Sequence, residues 1–149
     1  MSGSIVCGVG GSESARHAVR LARSLSSKLG LRLVFVRAVR PGSHEEEVSA
    51  VAERFSLLSE CTTDVDCGAG WLVDVGHPAE CLAAVAVDEQ ARFIVVGSGR
   101  PHSSSVASIP VELERRAPCP VVVVPPGAEA GVAARVDSGL ARAAHSSER

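Results

Sequence analysis

Two short words rich in glycine and serine carry the residue types that chemistry on a phosphate or an acyl group needs. The first is Gly8-Val9-Gly10-Gly11-Ser12-Glu13-Ser14. It follows an apolar run and precedes a helical pattern, the setting of a dinucleotide fingerprint or of a nucleophile elbow. Its third fingerprint position is Glu13, and the next strand ends on Arg37 and Arg40 where an acidic ribose partner belongs, so no nicotinamide cofactor is expected. As an elbow it lacks the last glycine, and Ser12 reads instead as a helix N-cap. No base and orienting acid can be assigned to Ser12, so the chain is read as non-catalytic.

The second word is Gly97-Ser98-Gly99-Arg100-Pro101-His102-Ser103-Ser104-Ser105. Glycines here allow backbone N–H groups to approach a phosphate without Cβ atoms in the way. Ser98 and the serine run add hydroxyl donors, Arg100 adds a charge, and Ser108 opens a helix whose N-terminus favours anions. The alternative is that these serines only solubilise and cap the loop. His17, His44, His77, His102 and His145 form no i, i+4 pair and have no cysteine at ligand spacing, so no metal site is expected. His77 and His102 fall after strands and could approach a crevice, but both are read as surface or capping residues. The cysteines are Cys7, Cys61, Cys67, Cys81 and Cys119. They are odd in number and lack C-x-x-C spacing, which fits reduced thiols in the cytoplasm.

Positioning these words requires βα units. Apolar runs of strand length alternate with segments of helical period, the pattern that feeds a parallel sheet. Strands are predicted over 4–9, 31–39, 71–75, 92–96 and 119–124. The first helix, over 12–29, lines up Ala15, Ala18, Val19, Ala22, Leu25 and Leu29 on one face, with Gly30 as its stop and its arginines turned away from the sheet. A second helix opens on Glu45-Glu46-Glu47, acidic residues suited to its positive end, and runs to about position 60. The third opens at Pro78, where a missing N–H costs nothing, and buries Leu82, Val85 and Ala86. The fourth spans 108–116. Pro120, Pro125 and Pro126 bracket the last strand, which marks it as an edge. A valine-rich bare edge invites pairing with a second subunit through Val121, Val122, Val123 and Val124.

The chain has 149 residues, 46% of them hydrophobic, enough for one core. A formal net charge of −2 provides no basic field for nucleic acid or anionic lipid. No stretch is long enough to span a bilayer, and the apolar run at 4–9 is too short for a signal peptide, so a cytoplasmic protein is expected. One domain over 1–126 is followed by an Ala/Gly/Ser/Arg-rich tail over 127–149. That tail reads as a flexible terminus, with a weak amphipathic helix over 132–143 as the alternative.

Three words together resemble the universal stress protein family over residues 5–124: Ile5-Val6-Cys7-Gly8-Val9-Gly10-Gly11-Ser12-Glu13-Ser14, then Phe93-Ile94-Val95-Val96-Gly97-Ser98, and finally Arg115-Arg116-Ala117-Pro118-Cys119-Pro120-Val121-Val122-Val123-Val124. The resemblance implies an α/β fold, a Rossmann-like open five-stranded parallel sheet with helices on both faces, and a homodimer formed through the last strand. It also implies adenine-nucleotide binding in one branch, where an aspartate after the first strand contacts adenosine and a G-x-x-G-x9-G-S/T loop wraps the phosphates. The positions of that site are here Gly8, Gly10, Ala38, Val96, Gly97, Ser98, Gly99, Arg100, Ala107 and Ser108. Gly10 replaces the aspartate, Arg100 the second glycine unless Gly99 serves from one residue earlier, and Ala107 the third, and the loop is about three residues short. A dimeric stress-response or interaction module with weak or no ATP binding is the expected function. The alternative is an adenine-nucleotide-binding regulator using loop 97–108, with ATP or AMP as ligand and slow ATP hydrolysis.

Overall fold

A computed structural model describes residues 3–59, 69–99 and 109–127 of the chain. Its elements run β1 (Ser4–Gly8), α1 (Glu13–Leu29), β2 (Arg32–Val39), α2 (His44–Ser59), β3 (Gly70–Val75), α3 (Pro78–Asp88), β4 (Ala91–Gly97), α4 (Ile109–Arg116) and β5 (Val121–Val124). Each expected strand and helix is present. The ends move by one or two residues, most at β5, where Cys119 and Pro120 precede the strand and the Pro120 carbonyl accepts from Ile94 N–H at 3.0 Å.

All five strands are parallel, in the order β3-β2-β1-β4-β5. The central strands are apolar on both faces because helices cover both. Ile5, Cys7, Phe35, Val95 and Val124 face α1, which buries Ala18, Ala22 and Leu25 on them. Val6, Val34, Val36, Ile94 and Val96 face the other way, under Leu82 and Val85 of α3 and Leu113 of α4. The last strand is an edge, as its prolines require.

Local signals set the limits of α1. Ser12 Oγ accepts the Ala15 N–H at 3.2 Å, and the Gly30 N–H returns to the Ser26 carbonyl. Buried Ser26 then donates its hydroxyl to the Leu31 carbonyl at 2.6 Å, tying the helix to the start of β2. Not every arginine of α1 turns away from the sheet. Arg16 and Arg20 are exposed, but Arg23 lies over the Phe35 ring, 5.8 Å from its centroid, and donates to the Leu57 carbonyl at 2.7 Å. A guanidinium over an aromatic face is attracted by the ring quadrupole, and the Leu57 carbonyl takes up one of its donors. That contact anchors α2, which buries Ala50 and leaves Val48, Val51 and Phe55 exposed.

Residues 60–68, 100–108 and 128–149 lie outside the described residues. With them lie the end of α2 near position 60, Cys61, Cys67, most of the second serine word and nearly all of the proposed tail. Among the described residues, no helix is long and apolar enough to cross a membrane, and no cluster of His, Cys, Asp and Glu could hold a metal ion.

Ile94 is fully buried on the central strand β4. Ile94→Ala is expected to lower unfolding free energy by about 2–5 kcal/mol in urea titration, because the covering helices close only part of the void.

Candidate functional site

Strand order reverses between β1 and β4, so a crevice opens at their carboxyl ends. It has a volume of about 170 Å³. Of the sequence-predicted site residues, Gly8, Gly10, Ala38, Val96, Gly97 and Gly99 line it together. Ser98 does not line it, and Arg100, Ala107 and Ser108 lie outside the described residues, as do Pro101, His102, Ser103, Ser104 and Ser105. Ser12, Arg37, Pro78, Leu82 and Ile109 also contribute to its wall.

Gly97 is the tightest point of the crevice. A Cβ added to it would stand 2.5 Å from the Ala15 backbone nitrogen, 2.6 Å from the Ser14 carbonyl carbon and 2.7 Å from Ser14 Oγ. The first turn of α1 therefore rests on the end of β4, and only a residue without a side chain fits between them. This glycine was expected to clear space for a phosphate. Its packing against α1 is a reason the sequence did not disclose.

The same approach buries Ser14 and shapes the loop that follows β4. Ser98 N–H donates to the Val124 carbonyl at 2.9 Å, extending the β4–β5 pairing by one bond. Gly99, at φ +85°, turns back so that its N–H donates to Ser14 Oγ at 3.1 Å. Ser14 Oγ in turn lies 3.2 Å from Ser12 Oγ, the cap of α1. Both described backbone donors at the start of the loop are thus engaged within the protein. The sequence reading gave Ser14 no role, because only the fold brings it to Gly99, 85 positions away.

On the other side of the crevice, Gly10 leaves open the position of the expected carboxylate. Its nearest neighbours across an added Cβ are Ala15 Cβ and Arg37 Nη1, each at 3.7 Å. Arg37 donates to the Val9 carbonyl at 3.4 Å and pairs through Nε with Glu53 Oε2 at 3.6 Å. A cation stands beside this position, with its own carboxylate on α2. Burial raises the Glu53 pKa above its usual range and the Arg37 charge draws it part of the way back.

His77 precedes α3 but makes no capping bond, and its Nε2 meets Glu112 Oε2 of α4 at 3.1 Å. Cys7, Cys81 and Cys119 are free thiols. Burial pushes the Cys7 thiol up to about 12, against the opposing charge of Arg23. It also raises Cys81, aided by the Asp74 charge, and Cys119. None is set up as a thiolate nucleophile.

These features define a doubly wound α/β protein with a small crevice at its topological switch point. A family model described as universal stress protein family matches residues 1–125, and the chain belongs to that family. Among solved structures it is similar to the universal stress protein UspA from Lactobacillus plantarum, at 20% identity and a TM-score of 0.69, covering 82% of this chain and 97% of that one. A universal stress protein family member from Burkholderia pseudomallei shares 28% identity at a TM-score of 0.56, covering 83% and 96%. A member from Arabidopsis thaliana with AMP bound shares 14% identity at a TM-score of 0.62, covering 85% and 94%. No curated protein matches.

Two outcomes are expected at this site. Gly97→Ala should destabilise the fold by about 1–3 kcal/mol in chemical denaturation, through overpacking against the α1 backbone. Cys7 should resist iodoacetamide at pH 8 in the native protein and label after unfolding in urea, read by peptide mass spectrometry.

Proposed function

We propose that this universal stress protein is a non-catalytic, dimeric, cytoplasmic stress-response or interaction module whose crevice binds ATP or AMP weakly or not at all. The observation that carries this reading is the engagement of the loop's first two backbone donors, Ser98 N–H by Val124 and Gly99 N–H by Ser14. A phosphate would have to displace both bonds, giving back what it gained. Arg37 beside Gly10, where the nucleotide-binding branch has a carboxylate, supports the same reading on the adenosine side. So does the crevice volume of about 170 Å³, below the roughly 300–1,000 Å³ of ordinary ligand sites. The Ser12 hydroxyl, at the nucleophile-like position, is occupied as a helix cap.

The dimer reading rests on β5. Among the described residues no strand pairs with its outer edge, and Val121, Val122 and Val123 are only half-buried. The free thiols of Cys7, Cys81 and Cys119 support a reducing compartment.

The second reading is an adenine-nucleotide-binding regulator that uses loop 97–108, with slow ATP hydrolysis. It is favoured by the gathering of Gly8, Gly10, Ala38, Val96, Gly97 and Gly99 around one crevice, and by relatives solved with AMP, dAMP and cAMP. Calorimetric titration with ATP and with AMP in magnesium separates the two. The expected dissociation constant is about 1 mM or weaker. Micromolar binding would replace the first reading by the second. For the dimer, Val123→Lys is expected to halve the mass seen by size-exclusion chromatography with light scattering. A monomeric wild-type protein contradicts that part of the proposal.

A further inference from the structure

Helix α2 is apolar on the face that looks away from the sheet. Its inward residues are Glu46, Ala50, Glu53 and Leu57, at helical spacing, and each of them is buried or half-buried. Val48, Val51 and Phe55 lie on the opposite side, also at helical spacing, and are 56%, 56% and 69% exposed. Positions a, d and a of a heptad have this spacing, the seam by which one helix packs on another. Single apolar residues scattered over a surface need no partner, but a contiguous stripe of them marks a contact face.

The charges beside the stripe select what sits on it. Glu47 and Arg54 share the heptad position g, on one flank of the seam, Glu47 near the start of the helix and Arg54 toward its end. Both are exposed, and Arg54 makes no ion pair with any described residue. When α2 of a second copy lies antiparallel on this one, a two-fold axis near Val51 sets Val48 against Phe55 of the second copy. The same axis sets Glu47 against Arg54 of the second copy, and each contact occurs twice. The two helix dipoles then oppose, which is favourable. A parallel pairing leaves Glu47 and Arg54 without an opposite charge and aligns the dipoles. The stripe is therefore complementary to itself in one orientation.

We propose that α2 is a second self-association surface of this protein, one copy docking antiparallel on another through Val48, Val51 and Phe55, with Glu47 paired to Arg54 of the second copy. It uses neither edge of the sheet, so it stands whether or not β5 pairs. A seam of three apolar side chains a copy is smaller than the roughly 800 Å² a side of a standard interface, so the contact is weak, with a dissociation constant of about 10–100 μM. Together with pairing of β5, it joins dimers into larger assemblies as the protein concentration rises.

Sedimentation velocity of the full chain from about 5 to 500 μM reads this contact. The weight-average mass is expected to climb across that range. Phe55→Asp, at an exposed position, should weaken the climb by at least about tenfold and leave the circular dichroism spectrum unchanged. Arg54→Glu should weaken it about tenfold, because the two-fold axis doubles the change at each pair. Exchanging the two charges, Glu47→Arg with Arg54→Glu, should restore it to within about twofold. Val123→Lys should leave this step intact, which separates it from pairing of β5. The proposal is overturned if the mass of Phe55→Asp rises as the wild-type mass does, or if the double exchange recovers nothing that Arg54→Glu loses. A wild-type mass that stays level over the whole range also overturns it, and assigns the stripe to a partner of other sequence without the use of any variant.

Discussion

The contact between the end of β4 and the first turn of α1 governs the crevice. Gly97 stands so close to Ser14 and Ala15 that a single Cβ would collide with backbone atoms. Because α1 is pressed down at this point, Ser14 is buried and its hydroxyl faces the chain leaving β4. Gly99 turns back to meet it, and Ser98 is held to β5 by its own N–H. The same helix turn carries the Ser12 cap, so capping, strand end and loop start form one connected arrangement. The described start of the loop is thus tied to the protein through Ser98 and Gly99.

Across the crevice the controlling feature is a missing side chain. Gly10 leaves the mouth between β1 and α1 open on both sides, and the Arg37–Glu53 pair occupies the neighbourhood instead. That pair bridges β2 and α2, an otherwise lightly packed helix secured by Arg23 at Leu57 and by buried Ala50. Arg23 of α1 and Arg37 of β2 thus both reach α2.

Much of the fold was legible because the signals were local. Apolar runs of strand length alternating with segments of helical period identified the strands, and Ser12 and Gly30 bounded α1 through capping chemistry. Pro120 identified β5 as an edge, although it placed the strand start two residues early. Arg23 was misread as outward because periodicity records polarity and not the Phe35 ring beneath the helix. At the site, the words around Gly10 and Gly97 come together at one crevice. Two roles were hidden, since both depend on tertiary approach: Gly97 as a packing necessity, and Ser14 as the acceptor for Gly99. No pattern within either word encodes a contact between residues 85 positions apart.

Residue-resolved amide hydrogen exchange at Gly99, with and without magnesium ATP, tests the central claim most directly. If the loop start is held by Ser14, the Gly99 amide exchanges slowly in the free protein and its rate is unchanged by nucleotide. Rapid exchange in the free protein, or a rate that shifts when ATP is added, would contradict the account.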